Sequence, residues 1–255
     1  MKANTVYLGY DPRQDTAFQV ARYSIASRTG PIKIIPLRLT HLTEILTRPI
    51  ENRNGQLWCP ISGAPMSTEF AISRFCVPFI NLEGWALFAD CDILCWSDIQ
   101  ELFDLADDKF AVMVVKHEWR KTMVGDVTVD GRMSLQKDQV ALIKMDGQVQ
   151  TMYARKNWSS VVLWNCDHPG NKRFTFENLN QWPGRDLHAF KWLNDDEIGE
   201  LPQHWNWLIN VTPGKPEAKG IWHYTLGTPT FAGYEHQPYS EQWLAEYERL
   251  RFTKV

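Results

Sequence analysis

Four short apolar runs, separated by segments of helical spacing, constrain this chain more than any other feature. Thr5-Val6-Tyr7-Leu8-Gly9-Tyr10 closes on the turn Asp11-Pro12. A helix is predicted over Asp15 to Arg28, carrying Phe18, Ala21 and Ile25 and stopped by Gly30-Pro31. Ile32 to Leu37 is a second run, Trp85 to Ala89 a third and Phe110 to Val115 a fourth, with helices expected from Ser67 to Pro78 and from Ser97 to Ala106. Apolar strands alternating with amphipathic helices imply a sheet covered on both faces, an α/β architecture with a mostly parallel central sheet flanked by helices.

After Lys116 the pattern weakens. Residues 117–140 read as polar and irregular, and Lys116 to Lys121 as a charged loop or a lip over a bound ligand. Val140 to Met145 and Ser160 to Trp164 read as further strands, and Tyr239 to Val255 as a closing C-terminal helix. Without repeats, low-complexity tracts or a Gly/Ser linker, residues 1–255 read as a single domain. The net charge of −3 argues against partners held by bulk positive charge, so no nucleic acid is expected. No apolar stretch approaches the roughly 18–20 residues of a membrane-spanning helix. The N-terminal residues lack a signal-peptide core, so the reading is a cytoplasmic protein with no integral membrane segment. Five cysteines, an odd number, read as reduced thiols; Cys91 and Cys95 have no second Cys/His pair at zinc-site spacing. Twelve tryptophans suit either a bulky core or a sugar-binding cleft.

The segment richest in chemistry is Leu87-Phe88-Ala89-Asp90-Cys91-Asp92-Ile93-Leu94. Carboxylates at i and i+2 of an extended chain share a face about 7 Å apart, and their joint ionisation calls for a cation. At the carboxyl end of a parallel strand they would lie where open α/β sheets bind ligands. A divalent ion held there keeps positions open for phosphate oxygens.

This strand with Asp98-Ile99-Gln100-Glu101-Leu102-Phe103, and the late segment Ile221-Trp222-His223-Tyr224-Thr225-Leu226-Gly227-Thr228-Pro229, resembles the GT-A glycosyltransferases of family 8, a retaining group, as a distant branch. Looser matches are Trp158 to Asn165 and Asp195-Asp196-Glu197 with Leu201-Pro202 and Trp205-Asn206. The resemblance implies a GT-A-like fold and a metal-dependent, retaining transfer of a sugar from a nucleotide-sugar donor, UDP-linked. The acceptor could be a glycan, a lipid-linked saccharide, a protein or a small molecule. It implies Mn²⁺ or Mg²⁺ on Asp90, Asp92 and His223, and the imidazole favours Mn²⁺. It assigns donor binding to Gly9, Tyr10, Asp11, Arg74, Asp90 and Gly227, and catalysis to Asp195, Asp196 and Glu197 near the anomeric carbon. The chain departs from the family by lacking a lysine shortly after the His223 motif, where Thr228-Pro229-Thr230-Phe231 stands. Either Lys215, Lys219 or an arginine elsewhere replaces it, or the metal carries more of the load. Two other readings compete: a haloacid-dehalogenase-type phosphohydrolase, which wants its carboxylate pair on the first strand, and a non-catalytic carbohydrate-binding protein.

Overall fold

A computed structural model describes residues 4–118, 133–136, 139–151 and 153–253. The strands, in chain order, are β1 (Thr5–Gly9), β2 (Lys33–Leu37), β3 (Glu51–Arg53), β4 (Gln56–Cys59), β5 (Ala64–Met66), β6 (Trp85–Ala89), β7 (Ile93–Cys95), β8 (Val112–Val114), β9 (Met133–Gln136), β10 (Gln139–Ile143), β11 (Val149–Thr151), β12 (Val161–Asn165), β13 (Ile198–Glu200), β14 (Trp207–Leu208) and β15 (Ile221–His223). The central sheet has the order β13-β8-β12-β6-β1-β2. Its strands run parallel except β12, which pairs antiparallel with both β6 and β8. The expectation of a mostly parallel, helix-flanked sheet holds. The reversal of β12 escapes sequence reading because an apolar run looks the same in either direction.

The core is continuous through this sheet: Val6, Leu8, Leu87, Phe88, Leu163 and Trp164 are fully buried. Burying such side chains contributes about 1.5–3 kcal/mol each. Gly9 is a glycine for a packing reason, since a Cβ there would lie 2.6 Å from the Phe70 ring. The tryptophans are largely structural. Trp164, Trp205 and Trp243 are fully buried, and Trp192 stacks on Phe174 at 4.1 Å.

A second layer positions the site. The sheet β14-β15-β7 follows directly from the end of β6, with β15 antiparallel to β7 and His223 opposite Ile93. Helix Asp15–Ala26 and the C-terminal helix Ser240–Phe252 pack against it through Ala17, Val20, Leu94, Trp222, Tyr224 and Trp243. Arg28 clamps the two helices by a bidentate pair with the buried Glu246, at 2.5 and 3.1 Å. No helix among the described residues is long and apolar enough to cross a membrane.

Local boundaries differ from expectation in instructive ways. The helix expected over Ser67 to Pro78 is two short α-turns, Phe70–Ser73 and Val77–Ile80, joined by a 3-10 turn at Arg74–Cys76. Pro78 sits in the first turn of the last piece, where its missing N–H costs nothing. The helix over Ser97 to Ala106 shrinks to Gln100–Phe103, because Thr29 Oγ1 and Asp98 Oδ1 accept from the N–H groups of Ile99 and Gln100. Within 117–140, read as irregular, β9 pairs antiparallel with β10. Trp119, Arg120 and Lys121 of the proposed lip lie outside the described residues. All five cysteines are free and buried.

Candidate metal centre and its surroundings

β6 ends at Ala89, and the chain bends through Asp90-Cys91-Asp92 into β7. Main-chain bonds fix the bend: Asp90 N–H donates to Ser160 O at 2.9 Å, and Tyr224 N–H donates to Asp92 O at 2.8 Å. Because β15 pairs antiparallel with β7, His223 stands opposite Ile93, one residue along from Asp92. Its Nε2 lies 3.1 Å from Asp92 Oδ1 and 3.8 Å from Asp90 Oδ2. One ligand atom from each of the three residues fits within 4.8 Å of the others, and all three residues are buried. These are the three residues that the family resemblance groups as metal ligands.

Asn206 settles which imidazole nitrogen faces the carboxylates. Its Nδ2 donates to Ser160 Oγ and to Asn157 O, so its Oδ1 must accept from His223 Nδ1, at 2.9 Å. Nε2 is therefore the atom at which a proton or a metal ion balances the two carboxylates. Asp90 Oδ1, Asp92 Oδ1 and His223 Nε2 all lack a hydrogen-bond partner although buried. Beyond Arg74 on Asp90 and the Asp92–His223 contact these buried atoms have no partner, and together they form a nitrogen–oxygen donor set suited to a divalent ion. The residues present fit the implied metal. A cavity of about 20 Å³ lies against Asp90 and Asp92, about the space one small ion or water occupies.

The electrostatics agree. Burial pushes the Asp90 carboxyl up, against the pull of Arg74. Burial also acts on Asp92, but the charge and hydrogen bond of His223 outweigh it and hold that carboxyl below its ordinary value. Arg74 is itself buried. It donates to Phe70 O and Ser159 O and lies 3.0 Å from Asp90 Oδ1.

The other expected site residues are placed differently. Gly9, Tyr10 and Asp11 stand at the carboxyl end of β1, next to β6, but are internally engaged. Tyr10 is packed by Phe18 and by Arg38, whose guanidinium sits 3.5 Å from the ring centre. The Asp11 carboxylate accepts from Arg13 and from Glu69 N–H. Gly227 follows β15 in a turn closed by its N–H to Tyr224 O. Asp195–Glu197 form a 3-10 turn before β13, at the amino end of an edge strand three positions from β6. Asp195 pairs with Arg155, and Glu197 pairs with Arg173 and caps its own turn at Asn194 N–H. None of the three lines the metal cavity. Lys215 and Lys219 are exposed and do not line it either.

Residues that sequence reading passed over do reach the cavity. Lys144, Gln150, Tyr153 and His188 line it beside Asp90 and Asp92. Lys144 is buried, and burial lowers its ammonium pKa against the pull of Asp92 and Asp90. Lys156 is more deeply buried, its Nζ without a hydrogen-bond partner and 4.6 Å from the Tyr153 ring centre. Burial, then Lys144 and Arg74, press its pKa well down. His188 stacks on Tyr153 and its Nδ1 shares a 2.7 Å hydrogen bond with Ser159 Oγ. Ser67, Ala71, Gln150, Tyr153 and His188 also line a second cavity of about 140 Å³, which continues past Ser62, Gly184 and Arg185.

This arrangement, a mixed sheet with a buried Asp-Asp-His cluster beyond the end of its central strand, has the fold of GT-A-like glycosyltransferases. The galactosyltransferase LgtC, solved with donor and acceptor sugar analogues, is similar over 98% of this chain and 97% of its own, with a TM-score of 0.54 and 12% identity. The bifunctional glycosyltransferase WbbM and the glycosyltransferase GlyE of Streptococcus pneumoniae TIGR4 are similar at TM-scores of 0.54, with 15% and 14% identity, over 96% and 97% of this chain. This chain spans 51% of the length of the former and 62% of the latter. In sequence, the chain is 40% identical over 250 residues to Protein CDI of Arabidopsis thaliana, covering 95% of this chain and 85% of that one, and it belongs to the same family. No family profile matches it.

Proposed function

We propose that the chain, acting as one domain over residues 1–255, is a metal-dependent glycosyltransferase of the family 8 type that takes its sugar from a UDP-linked donor with retention of configuration. The acceptor is a hydroxyl-bearing glycan, lipid-linked saccharide, protein or small molecule. The observation that carries this reading is the approach of three buried ligand atoms, from Asp90, Asp92 and His223, to within 4.8 Å of one another, beside a small cavity lined by Asp90 and Asp92, in a GT-A-like fold. The nitrogen donor favours Mn²⁺ over Mg²⁺.

A divalent ion bound there would neutralise negative charge gathering on the departing nucleoside diphosphate. The protein's own contribution is preorganisation. Asn206 holds the His223 ring so that Nε2 faces the carboxylates. Arg74, fixed by two main-chain carbonyls, holds Asp90 by charge. The bend 90–92 is locked to the residue before β12 and to the residue after β15, so the ligands need little reorganisation when charge develops.

The phosphohydrolase alternative is not favoured by the topology, since Asp90 and Asp92 follow β6, with β1 and β2 preceding it in the same sheet. The test is turnover: a panel of UDP- and GDP-sugars incubated with the chain and Mn²⁺, scored for release of the nucleoside diphosphate. Mn²⁺-dependent release from one UDP-sugar is expected. Release of phosphate from simple phosphomonoesters, with no nucleotide-sugar consumed, would overturn the reading.

A further inference from the structure

We propose that the cavity of about 630 Å³ at the carboxyl ends of β8 and β13 is a saccharide subsite, holding a neutral sugar residue of an oligosaccharide acceptor away from the reacting hydroxyl. This deepens the reading above by naming the class of acceptor, and it rests on that reading only for calling the bound saccharide an acceptor.

Position is the first ground. β12 pairs antiparallel with both β6 and β8, and β13 pairs parallel with β8, so β6, β8 and β13 all run the same way. Their carboxyl ends share the sheet edge on which Asp90 and Asp92 lie. β8 stands two places from β6, about 10 Å at the usual strand spacing. The cavity shares no lining residue with the two cavities beside the 90–92 bend. A lone monosaccharide seated there stays short of the metal centre, whereas a chain of sugar residues spans the gap.

The walls are preformed. Leu201 N–H extends the β13–β8 ladder to Val114 O, and Trp158 Nε1 donates to His117 O. Across the cavity the turn after Leu208 is closed twice, by Thr212 N–H to Leu208 O and by Leu208 N–H to Thr212 Oγ1. Leu208 is itself paired with His223, so this wall is braced on the strand that carries the third metal ligand. The volume falls in the range of clefts that bury a small organic ligand, and fixed walls spare the ordering that binding otherwise costs.

The lining selects the ligand. Its buried part is aliphatic, from Val115, Leu201 and Leu208, a surface for the C–H face of a sugar ring. Glu118, Glu200 and Gln203 stand exposed around it, and carboxylates accept strong hydrogen bonds from hydroxyls. Lys116 is the one cationic side chain of the lining, against two carboxylates. His117 adds no charge, because burial and then His223 push its imidazole down to about 3. The resulting negative balance disfavours phosphate-bearing ligands, and so separates a neutral glycan from a diphosphate-linked lipid.

The experiment titrates maltotriose, cellotriose and triacetylchitotriose into the full chain by ligand-observed NMR, with spermidine and glucose 6-phosphate as cationic and anionic controls. It compares wild type with the double variant E200Q/Q203A and with V211W, which fills the cavity, and follows unfolding temperature and acceptor-free UDP release in parallel. At least one trisaccharide is expected to bind the wild type, at least fivefold more weakly to E200Q/Q203A and not at all to V211W, with UDP release within twofold throughout. If V211W fails to fold, the exposed pair carries the test. Transfer to that trisaccharide is expected to exceed transfer to its parent monosaccharide at least tenfold. No trisaccharide binding by the wild type at millimolar concentration, unchanged affinity in the folded variants, tighter binding of either control, or equal transfer to the monosaccharide overturns the proposal. Binding that depends on the cavity, in a chain that turns over no nucleotide-sugar, leaves the saccharide subsite standing and removes the glycosyltransferase reading. Turnover with trisaccharide binding indifferent to the cavity does the reverse.

Discussion

Two acidic groups in this chain look alike in sequence and differ in everything physical. Asp195–Glu197 sit in an exposed turn at the amino end of the edge strand β13, with Asp195 and Glu197 each paired with an arginine. Asp90 and Asp92 lie past the carboxyl end of a central strand, buried, each with an oxygen lacking a hydrogen bond. The first arrangement costs the fold little, since exposed ion pairs contribute about 0–1 kcal/mol. The second crowds two buried carboxylates together, offset by Arg74 and His223, and gains from a further cation. That asymmetry predicts where substitutions will hurt activity and where they will hurt little.

The largest effect is expected at the buried pair. Asp92→Asn keeps the shape but removes the charge, and should lower nucleotide-sugar turnover by at least a hundredfold with no loss of unfolding temperature, measured by kinetics and calorimetry on the same sample. Next comes the support behind the ligand. Asn206→Leu removes the acceptor that orients His223, and should weaken Mn²⁺ affinity by about 10–100-fold, read from the metal dependence of UDP binding; an unchanged metal titration would mean that the ring needs no such partner.

A smaller, purely structural effect is expected at the clamp between the helices. Glu246 carries a carboxyl held below its ordinary value of 4.5, because its bonds to Arg28 outweigh burial. A depressed folded-state pKa means that its contribution is complete above the unfolded value and disappears as pH falls through the folded one. Glu246→Gln should therefore cost about 1–2 kcal/mol at neutral pH, and the gap to wild type should close on acidification below about 4.5. A gap that persists once the folded-state carboxyl is fully protonated would assign the loss to packing. The smallest effect belongs to the exposed turn: Asp196→Asn should leave turnover within twofold of wild type. A loss comparable to that of Asp92→Asn would erase the contrast drawn here and return Asp196 to the chemistry.

Much of the site was legible before the structure. Asp90 and Asp92 announce themselves by following an apolar strand, and His223 by a motif far downstream in the chain; the β15–β7 ladder explains why they meet. Lys144, Lys156, Tyr153 and His188 were not legible. They arrive from the segment around β10 and β11 and from the short helix Gly184–His188, where no periodicity or spacing marks a residue as facing inward. Asn206 was quoted only as part of a loose match, since its task is to orient another side chain. The acidic run Asp195–Glu197 drew attention as a loose match to a family motif, and a motif match does not report burial.

The most direct measurement of the central claim is calorimetric titration of UDP into the chain with Mn²⁺ and with excess chelator, for wild type and Asp92→Asn. The account predicts saturable binding that requires Mn²⁺ in the wild type and is lost in the variant. Equal UDP affinity in chelator, or a variant that binds as wild type does, would contradict it.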